Sequence, residues 1–144
     1  MRNQGPEEEP RHCRCYAITR DGGRSWSEVQ RDTGLVDVRC QGSIARLRRQ
    51  DRGAGRSRIL FANPDSSYQD RVNMTVKLSY EEGQSWPVAR TVYAGPSAYC
   101  CLAPMGNETI GLLFENGKEG PYERISFARF GLDWLTREDE VREG

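Results

Sequence analysis

The sequence lacks long apolar runs, has a single histidine and carries no excess of charge of either sign. Without a stretch of about 18 apolar residues, it predicts no transmembrane helix. No basic N-terminal segment leads into an apolar core, so no signal peptide is visible and the compartment stays unknown. Lys plus Arg balance Asp plus Glu at 21 each, which gives no global signature of polyanion binding.

Arginine is nevertheless concentrated in one segment, residues 39–58, which holds seven arginines against a single acid. A surface that binds single-stranded nucleic acid would need aromatic side chains among the cations for base stacking, and this segment has none. We interpret the segment as a solvated surface of strands and loops and expect no nucleic-acid partner. Its members are Arg39, Arg46, Arg48, Arg49, Arg52, Arg56 and Arg58.

The cysteines number five, so they cannot all be paired within the chain. Cys13 and Cys15 share one face of a strand, whereas the adjacent Cys100 and Cys101 point to opposite faces. His12 does not complete a zinc site with them, and no metal is expected. Packed free thiols are favoured, one internal bridge stays open, and the redox compartment is not determined.

The chain reads as short β-rich runs between turn signals, with one possible helical turn near residues 134–141. The run from Asn73 to Leu78 alternates, with Met74, Val76 and Leu78 on one face. Several short strands at this spacing predict a sandwich, a barrel or a propeller. The other runs lie at residues 13–19, 42–47, 57–62, 89–93, 98–102, 109–114 and 124–130.

Two turn segments repeat one pattern, S/T-x-[DE]-x-G-x-x-W, and begin 60 residues apart. The hydroxyl and the carboxylate can accept hydrogen bonds from turn amides, and the glycine tolerates a positive φ. The tryptophan is expected to fold back over the hairpin as an apolar plug. The pattern is formed by Thr19, Asp21, Gly23 and Trp26 in one copy, and by Ser79, Glu81, Gly83 and Trp86 in the other.

The repeated pattern resembles the Asp box, the turn between the outer strands of a β-propeller blade. Glu81 departs from it, because the family pattern has Asp at that position. The resemblance implies a structural role for both boxes at the blade periphery, away from any central site. It supports a fold and by itself gives no function.

Further segments resemble the sialidase family, in the order that this family shows them. The segments around Arg71, Tyr99 and Glu115 are the specific ones. The series comprises residues 1–3 (MRN), 38–44 (VRCQGSI), 61–64 (FANP), 71–76 (RVNMTV), 95–102 (GPSAYCCL), 111–115 (GLLFE), 125–130 (ISFARF) and 132–135 (LDWL).

The resemblance implies an all-β fold, part of a six-bladed propeller, with residues 1–144 as the C-terminal portion of one domain. This portion would hold about two blades and the end of a third. The implied activity is exo-α-sialidase, the retaining hydrolysis of terminal sialic acid from glycoproteins, glycolipids and oligosaccharides, without a cofactor. Tyr99 matches the nucleophile, Arg71 and Arg2 match two arginines of the carboxylate-binding triad, and Glu115 matches the residue that orients the remaining arginine.

The chemistry explains why these residue types belong together. Arginine holds a sialic acid carboxylate by bidentate, charge-assisted hydrogen bonds. A neutral tyrosine avoids the repulsion that a carboxylate nucleophile would meet there, and sialidases are the tyrosine exception among retaining glycosidases. The remaining arginine, the acid/base aspartate and the glutamate base of the tyrosine have no matching positions. We therefore expect a truncated, inactive chain, whose parent enzyme could be secreted or lysosomal.

An alternative interpretation is a non-catalytic Asp-box propeller that binds a glycan or a protein. A scaffold of that kind needs only the two boxes. The series Arg71, Tyr99 and Glu115 separates the two readings, because it is required only for chemistry on an acidic sugar. A third class, a nucleic-acid binder that uses the arginine segment, has no motif behind it.

Overall fold

The computed structural model describes residues 12–48, 57–66 and 70–137. Within them the chain forms strands and one short helix; the predicted runs correspond to strands, and β2 is a strand that no run predicted. The elements are β1 (Cys13–Tyr16), β2 (Gln30–Val36), β3 (Ser43–Arg48), β4 (Arg58–Pro64), β5 (Val72–Ser79), β6 (Val88–Pro104), β7 (Thr109–Asn116), β8 (Arg124–Gly131) and α1 (Leu132–Thr136).

All strand pairings are antiparallel and follow chain order. β1 and β2 form a separate hairpin, and β3 to β8 form a six-stranded sheet. The 17-residue strand β6 pairs with β5 through its first half and with β7 through its second half. The runs 89–93 and 98–102, expected as two strands, are therefore one strand that joins two parts of the sheet.

The core lies against β4 to β7, where Met74, Val76 and Leu78 are fully buried as the alternation predicts. The opposite face of β5 is buried as well, and β2 contacts this side of the sheet through the Gly34 and Val36 carbonyls. The buried polar side chains of this face have partners, as Lys77 shows. Its Nζ donates to the Gly34 carbonyl at 2.9 Å and lies 3.1 Å from a carboxylate oxygen of Asp65.

The first Asp box is an exposed turn closed by its own polar side chains. The Thr19 hydroxyl accepts from the Gly23 amide at 2.8 Å, and Asp21 accepts from the Arg24 and Ser25 amides at 3.0 Å. The Ser25 hydroxyl, the Ser25 amide and the Thr19 hydroxyl lower the pKa of Asp21 to about 2. Gly23 has a φ of 93°, as expected for this turn.

The second box keeps the bond to the first hydroxyl and the bond between the box serine and the carboxylate. Ser79 Oγ accepts from the Gly83 amide at 2.9 Å, and Gly83 has a φ of 87°. The longer Glu81 side chain accepts from the Ser85 hydroxyl at 2.8 Å, as Asp21 accepts from the Ser25 hydroxyl at 2.6 Å. The departure from Asp therefore leaves the turn closed by the same two kinds of side-chain bond.

The two box tryptophans differ in their packing. Trp86 donates from its indole nitrogen to Asp32 Oδ2 at 2.8 Å, and its ring lies 5.9 Å from the Phe61 ring. It thereby ties the six-stranded sheet to β2. Trp26 is 62 % exposed, so the expectation that it plugs its own hairpin is wrong. Within the described residues, no other segment packs over the first box.

This difference predicts unequal stability effects for matched substitutions. Trp86→Phe removes the bond to a charged acceptor and should lower the free energy of unfolding by about 1.5–3 kcal/mol. Trp26→Phe should change it by less than about 0.5 kcal/mol, as for other exposed sites. Urea unfolding of the three proteins, followed by circular dichroism, measures both values. Equal losses for the two variants would contradict the docking of Trp86 on β2.

Candidate active site

Three neighbouring strands bring Arg71, Tyr99 and Glu115 together. Arg71 directly precedes β5, Tyr99 lies in the middle of β6, and Glu115 lies near the end of β7. Antiparallel pairing sets Val72 opposite Pro96, and the Ser97 amide donates to the Arg71 carbonyl at 2.7 Å. The second Asp box begins at the far end of β5, away from this group.

Tyr99 lies on a β-bulge. Ser97 pairs with Asn116 and Cys100 pairs with Phe114, so residues 98 and 99 stand opposite the single residue Glu115. An extra residue of this kind bends a strand and re-aims a side chain. The neighbours on either side of Tyr99 are buried, whereas the tyrosine is 40 % exposed. The bulge thus presents the phenol to solvent at the junction of three strands.

Glu115 completes the bulge from the neighbouring strand. Its Oε2 accepts from the Tyr99 amide at 3.1 Å, which replaces the ladder bond that the bulge disrupts. The Glu115 side chain is half-buried. This bond shows what Glu115 contacts within the described residues and gives it a direct part in fixing the backbone of Tyr99.

Two side chains hold the opposite edge of β6. Gln41 Oε1 accepts from the Cys100 amide at 3.0 Å, and Ser43 Oγ accepts from the Leu102 amide at 2.9 Å. They supply hydrogen bonds where β5 no longer pairs with β6. Both belong to the segment 38–44, which the motif comparison singles out without giving its side chains a role.

Arg71 is held on both sides of its guanidinium. Nη2 donates to the Arg39 carbonyl at 2.7 Å, and Nη1 donates to the Tyr122 hydroxyl. Its Cζ lies 6.0 Å from the centre of the Tyr99 ring, at the outer limit for a cation–π contact. Neither contact was expected from the sequence, since no motif marks Tyr122 and the segment 38–44, which contains Arg39, gave that carbonyl no role.

Other predicted features have simpler outcomes. Arg2 lies outside the described residues. No disulfide joins any of the five cysteines, all of which lie in the described residues, so the structure does not contain the internal bridge. Cys100 is buried and Cys101 exposed, as their adjacency predicts, and burial raises the pKa of Cys100 to about 12.

The arginine segment is partly paired with acids, since Arg46 contacts Glu82 at 2.6 Å and Arg58 contacts Glu108. Within residues 12–48, 57–66 and 70–137, no three His, Cys, Asp or Glu side chains are grouped to hold a metal ion. No helix in the same ranges is long and apolar enough to cross a membrane.

Comparison with known sequences places these features in a family context. No family model matches the chain. A sialidase of Micromonospora viridifaciens is 32 % identical over 123 residues, which are 85 % of this chain and 18 % of that protein. A sialidase of Bacteroides fragilis is 30 % identical over 107 residues, 72 % of this chain and 20 % of that protein. The chain therefore spans about a fifth of the length of these relatives.

Solved structures show the same partial match. The Hadza microbial sialidase Hz136 superposes with a TM-score of 0.71 at 28 % identity, over 86 % of this chain and 24 % of that one. The NanB sialidase of Streptococcus pneumoniae gives 0.69 at 20 % identity, over 85 % and 20 %. The curled antiparallel sheet matches part of the sialidase β-propeller, which confirms the predicted fold class.

Proposed function

Because the chain belongs to the sialidase family over about a fifth of the length of its relatives, we propose that residues 1–144 form the C-terminal part of a sialidase propeller. In this proposal the chain supplies the nucleophile Tyr99 and two arginines, Arg71 and Arg2, of the clamp that binds the carboxylate of the sugar. The acid/base aspartate and the base that activates the phenol come from another part of the complete propeller. The substrate class is terminal α-linked sialic acid on glycoconjugates.

One observation carries the proposal. A solvent-facing tyrosine lies on a bulge beside an arginine that is held by two further groups. The arginine can bind the carboxylate of the sugar by charge-assisted hydrogen bonds, which orient the sugar as well as retain it. Tyr99 then faces the anomeric carbon that carries this carboxylate. A scaffold protein has no need for a guanidinium next to an exposed phenol.

The reaction has two displacement steps. A base removes the phenol proton, Tyr99 Oη forms a bond to the anomeric carbon, and the bond to the aglycone breaks as an acid protonates the leaving oxygen. Water, deprotonated by the acid/base group, then attacks the same carbon, the bond to Tyr99 Oη breaks, and the phenolate takes its proton back from the base, so that configuration is retained overall. Arg71 binds the carboxylate through both steps, and Arg2 joins it as a second arm of the clamp.

The proposal predicts that the 144-residue chain alone is inactive and that completion restores activity. Without general acid and base groups, hydrolysis of a fluorogenic sialoside should be at least about 10²–10⁴-fold slower than in a complete sialidase. The complete form for the test is a hybrid enzyme, in which residues 1–144 replace the matching segment of the Micromonospora viridifaciens sialidase. The hybrid enzyme should cleave the sialoside.

Two results would contradict the proposal. Turnover by the isolated chain at the rate of a complete sialidase would show that the missing groups are not needed. A folded hybrid enzyme that binds sialoside but never cleaves it would favour the non-catalytic propeller. Circular dichroism and thermal unfolding of the hybrid enzyme establish that it is folded before either rate is interpreted.

A further inference from the structure

We propose that Tyr122, in the loop between β7 and β8, is a positioning residue that fixes the guanidinium of Arg71 for an incoming carboxylate. The inference rests on the proposed function, because it concerns the same clamp. It assigns a part in substrate recognition to a loop that no sequence motif marks. Tyr122 acts through Arg71 and takes no part in the bond-breaking steps.

The geometry around Arg71 is the first support. Its two partners come from different segments: the Arg39 carbonyl belongs to the connection between β2 and β3, and the Tyr122 hydroxyl belongs to the β7–β8 loop. These bonds engage one hydrogen on each terminal nitrogen. A guanidinium has five N–H donors in a rigid plane. Two anchors on that plane fix its direction and leave donors for a carboxylate.

The backbone of Arg39 adds to this support. Arg39 has a φ of 54°, in the left-handed region that a residue with a side chain adopts at a cost. Such conformations persist where the surrounding structure holds them, and they cluster at functional sites. Here the conformation accompanies a carbonyl that accepts from Arg71. The second partner of Arg71, the Arg39 carbonyl, therefore also belongs to backbone in an uncommon conformation.

The β7–β8 loop is built to present Tyr122 in a fixed place. The Glu123 carboxylate accepts from the amides of Lys118, Glu119 and Gly120 at 2.8 to 3.0 Å. The Lys118 amide, followed by the other two, holds the pKa of Glu123 below its usual range. Gly117 begins this turn where a Cβ would collide with the Gly120 carbonyl and with Glu123.

Further bonds connect the start of the loop to the sheet. The Tyr93 hydroxyl donates to the Gly117 carbonyl at 2.7 Å, and Arg124 Nε donates to Asn116 Oδ1 at 2.7 Å. Tyr122 is 63 % exposed, yet its backbone belongs to a loop with this many internal bonds. The exposure of its ring means that removing the hydroxyl leaves the core unchanged.

The consequence is a specific defect in binding a carboxylate. Without the phenol oxygen, Arg71 retains its charge and the Arg39 carbonyl but loses one of the two anchors on its plane. Binding of a carboxylate ligand should weaken by roughly 2- to 10-fold, the range for one hydrogen bond. The affinity for a ligand without the negative charge should stay unchanged.

The test is a titration of the 144-residue chain by NMR with two probes, methyl α-sialoside and its methyl ester. Tyr122→Phe should raise the dissociation constant of the acid by roughly 2- to 10-fold and leave that of the ester unchanged. The matched control is Tyr16→Phe, which also deletes a phenol hydrogen bond, to Gln30 at 2.6 Å, and should change neither constant. Arg71→Ala should abolish the preference for the acid.

The outcomes separate the inference from the proposed function. If Arg71→Ala removes the preference for the acid and Tyr122→Phe leaves it intact, the inference is wrong and the clamp stands. If the wild-type chain shows no preference for the acid, the proposed clamp is wrong. The inference is then decided by the hydrogen exchange of the ¹⁵N-bound side-chain protons of Arg71. They should exchange with water more slowly in wild type than in Tyr122→Phe, and equal rates would overturn the positioning role.

Discussion

Tyr99→Phe in the hybrid enzyme is expected to lower kcat for a sialoside by on the order of 10³-fold or more, because it removes the proposed nucleophile of a covalent mechanism. The substitution deletes one hydroxyl that faces solvent, so the bulge and the fold should persist. KM should change little, since the proposed contact between Arg71 and the carboxylate is kept. Steady-state kinetics with a fluorogenic sialoside measure both constants.

The stereochemistry of the product gives a second reading of the same variant. With Tyr99 in place, the first product should be the α-anomer, as two displacements retain configuration. Residual hydrolysis in Tyr99→Phe cannot use that route and should not retain configuration. Proton NMR during the first minutes of reaction distinguishes the anomers. Tyr16→Phe serves as the control and should match the unsubstituted hybrid enzyme; undiminished kcat in Tyr99→Phe would show that Tyr99 is not the nucleophile.

Arg71→Lys in the hybrid enzyme is expected to lower kcat/KM by roughly 10- to 100-fold, the effect of losing a charge-assisted hydrogen bond. Lysine keeps the positive charge but cannot form the planar, two-pronged contact with a carboxylate. Lysine has a single side-chain nitrogen. It therefore also cannot replace the two guanidinium nitrogens that donate to the Arg39 carbonyl and to the Tyr122 hydroxyl. The loss should therefore exceed any effect of charge alone.

A matched control for Arg71→Lys is Arg46→Lys. Arg46 is also an arginine with a defined partner, since it pairs with Glu82 at the surface, away from the bulge. Surface pairs of this kind contribute about 0–1 kcal/mol to stability, so kcat/KM should stay within about twofold of the unsubstituted value. Equal losses in the two variants would indicate a general effect on folding and would contradict the clamp assignment.

The local pattern predicted much of the fold. The alternation from Met74 to Leu78 gave a buried strand, and the box template gave two turns closed by hydroxyls and glycines, as found. β2 was not predicted, because the run QRDTGLV has no clear alternation. It forms by pairing with β1 and by contact with Trp86 and Lys77, residues that are more than 40 positions away.

The candidate site was predicted only in part, because some of its contacts join residues that are far apart in the sequence. Motif resemblance pointed to Arg71, Tyr99 and Glu115, and strand pairing brings them together. Tyr122 and Gln41 act through single hydrogen bonds to residues 51 and 59 positions away. No local period or composition encodes such contacts. The bulge at Tyr99 likewise depends on the register of β6 against β7, which the sequence of β6 alone does not fix.

The most direct test of the account is to identify the residue that becomes covalently bonded to the sugar. The hybrid enzyme is treated with a sialosyl fluoride that carries a second fluorine beside the anomeric carbon, which slows hydrolysis of the covalent intermediate. Peptide mapping by mass spectrometry should then find the sugar on the phenol of Tyr99. Labelling of another residue, or turnover with Tyr99 never labelled, would contradict the account.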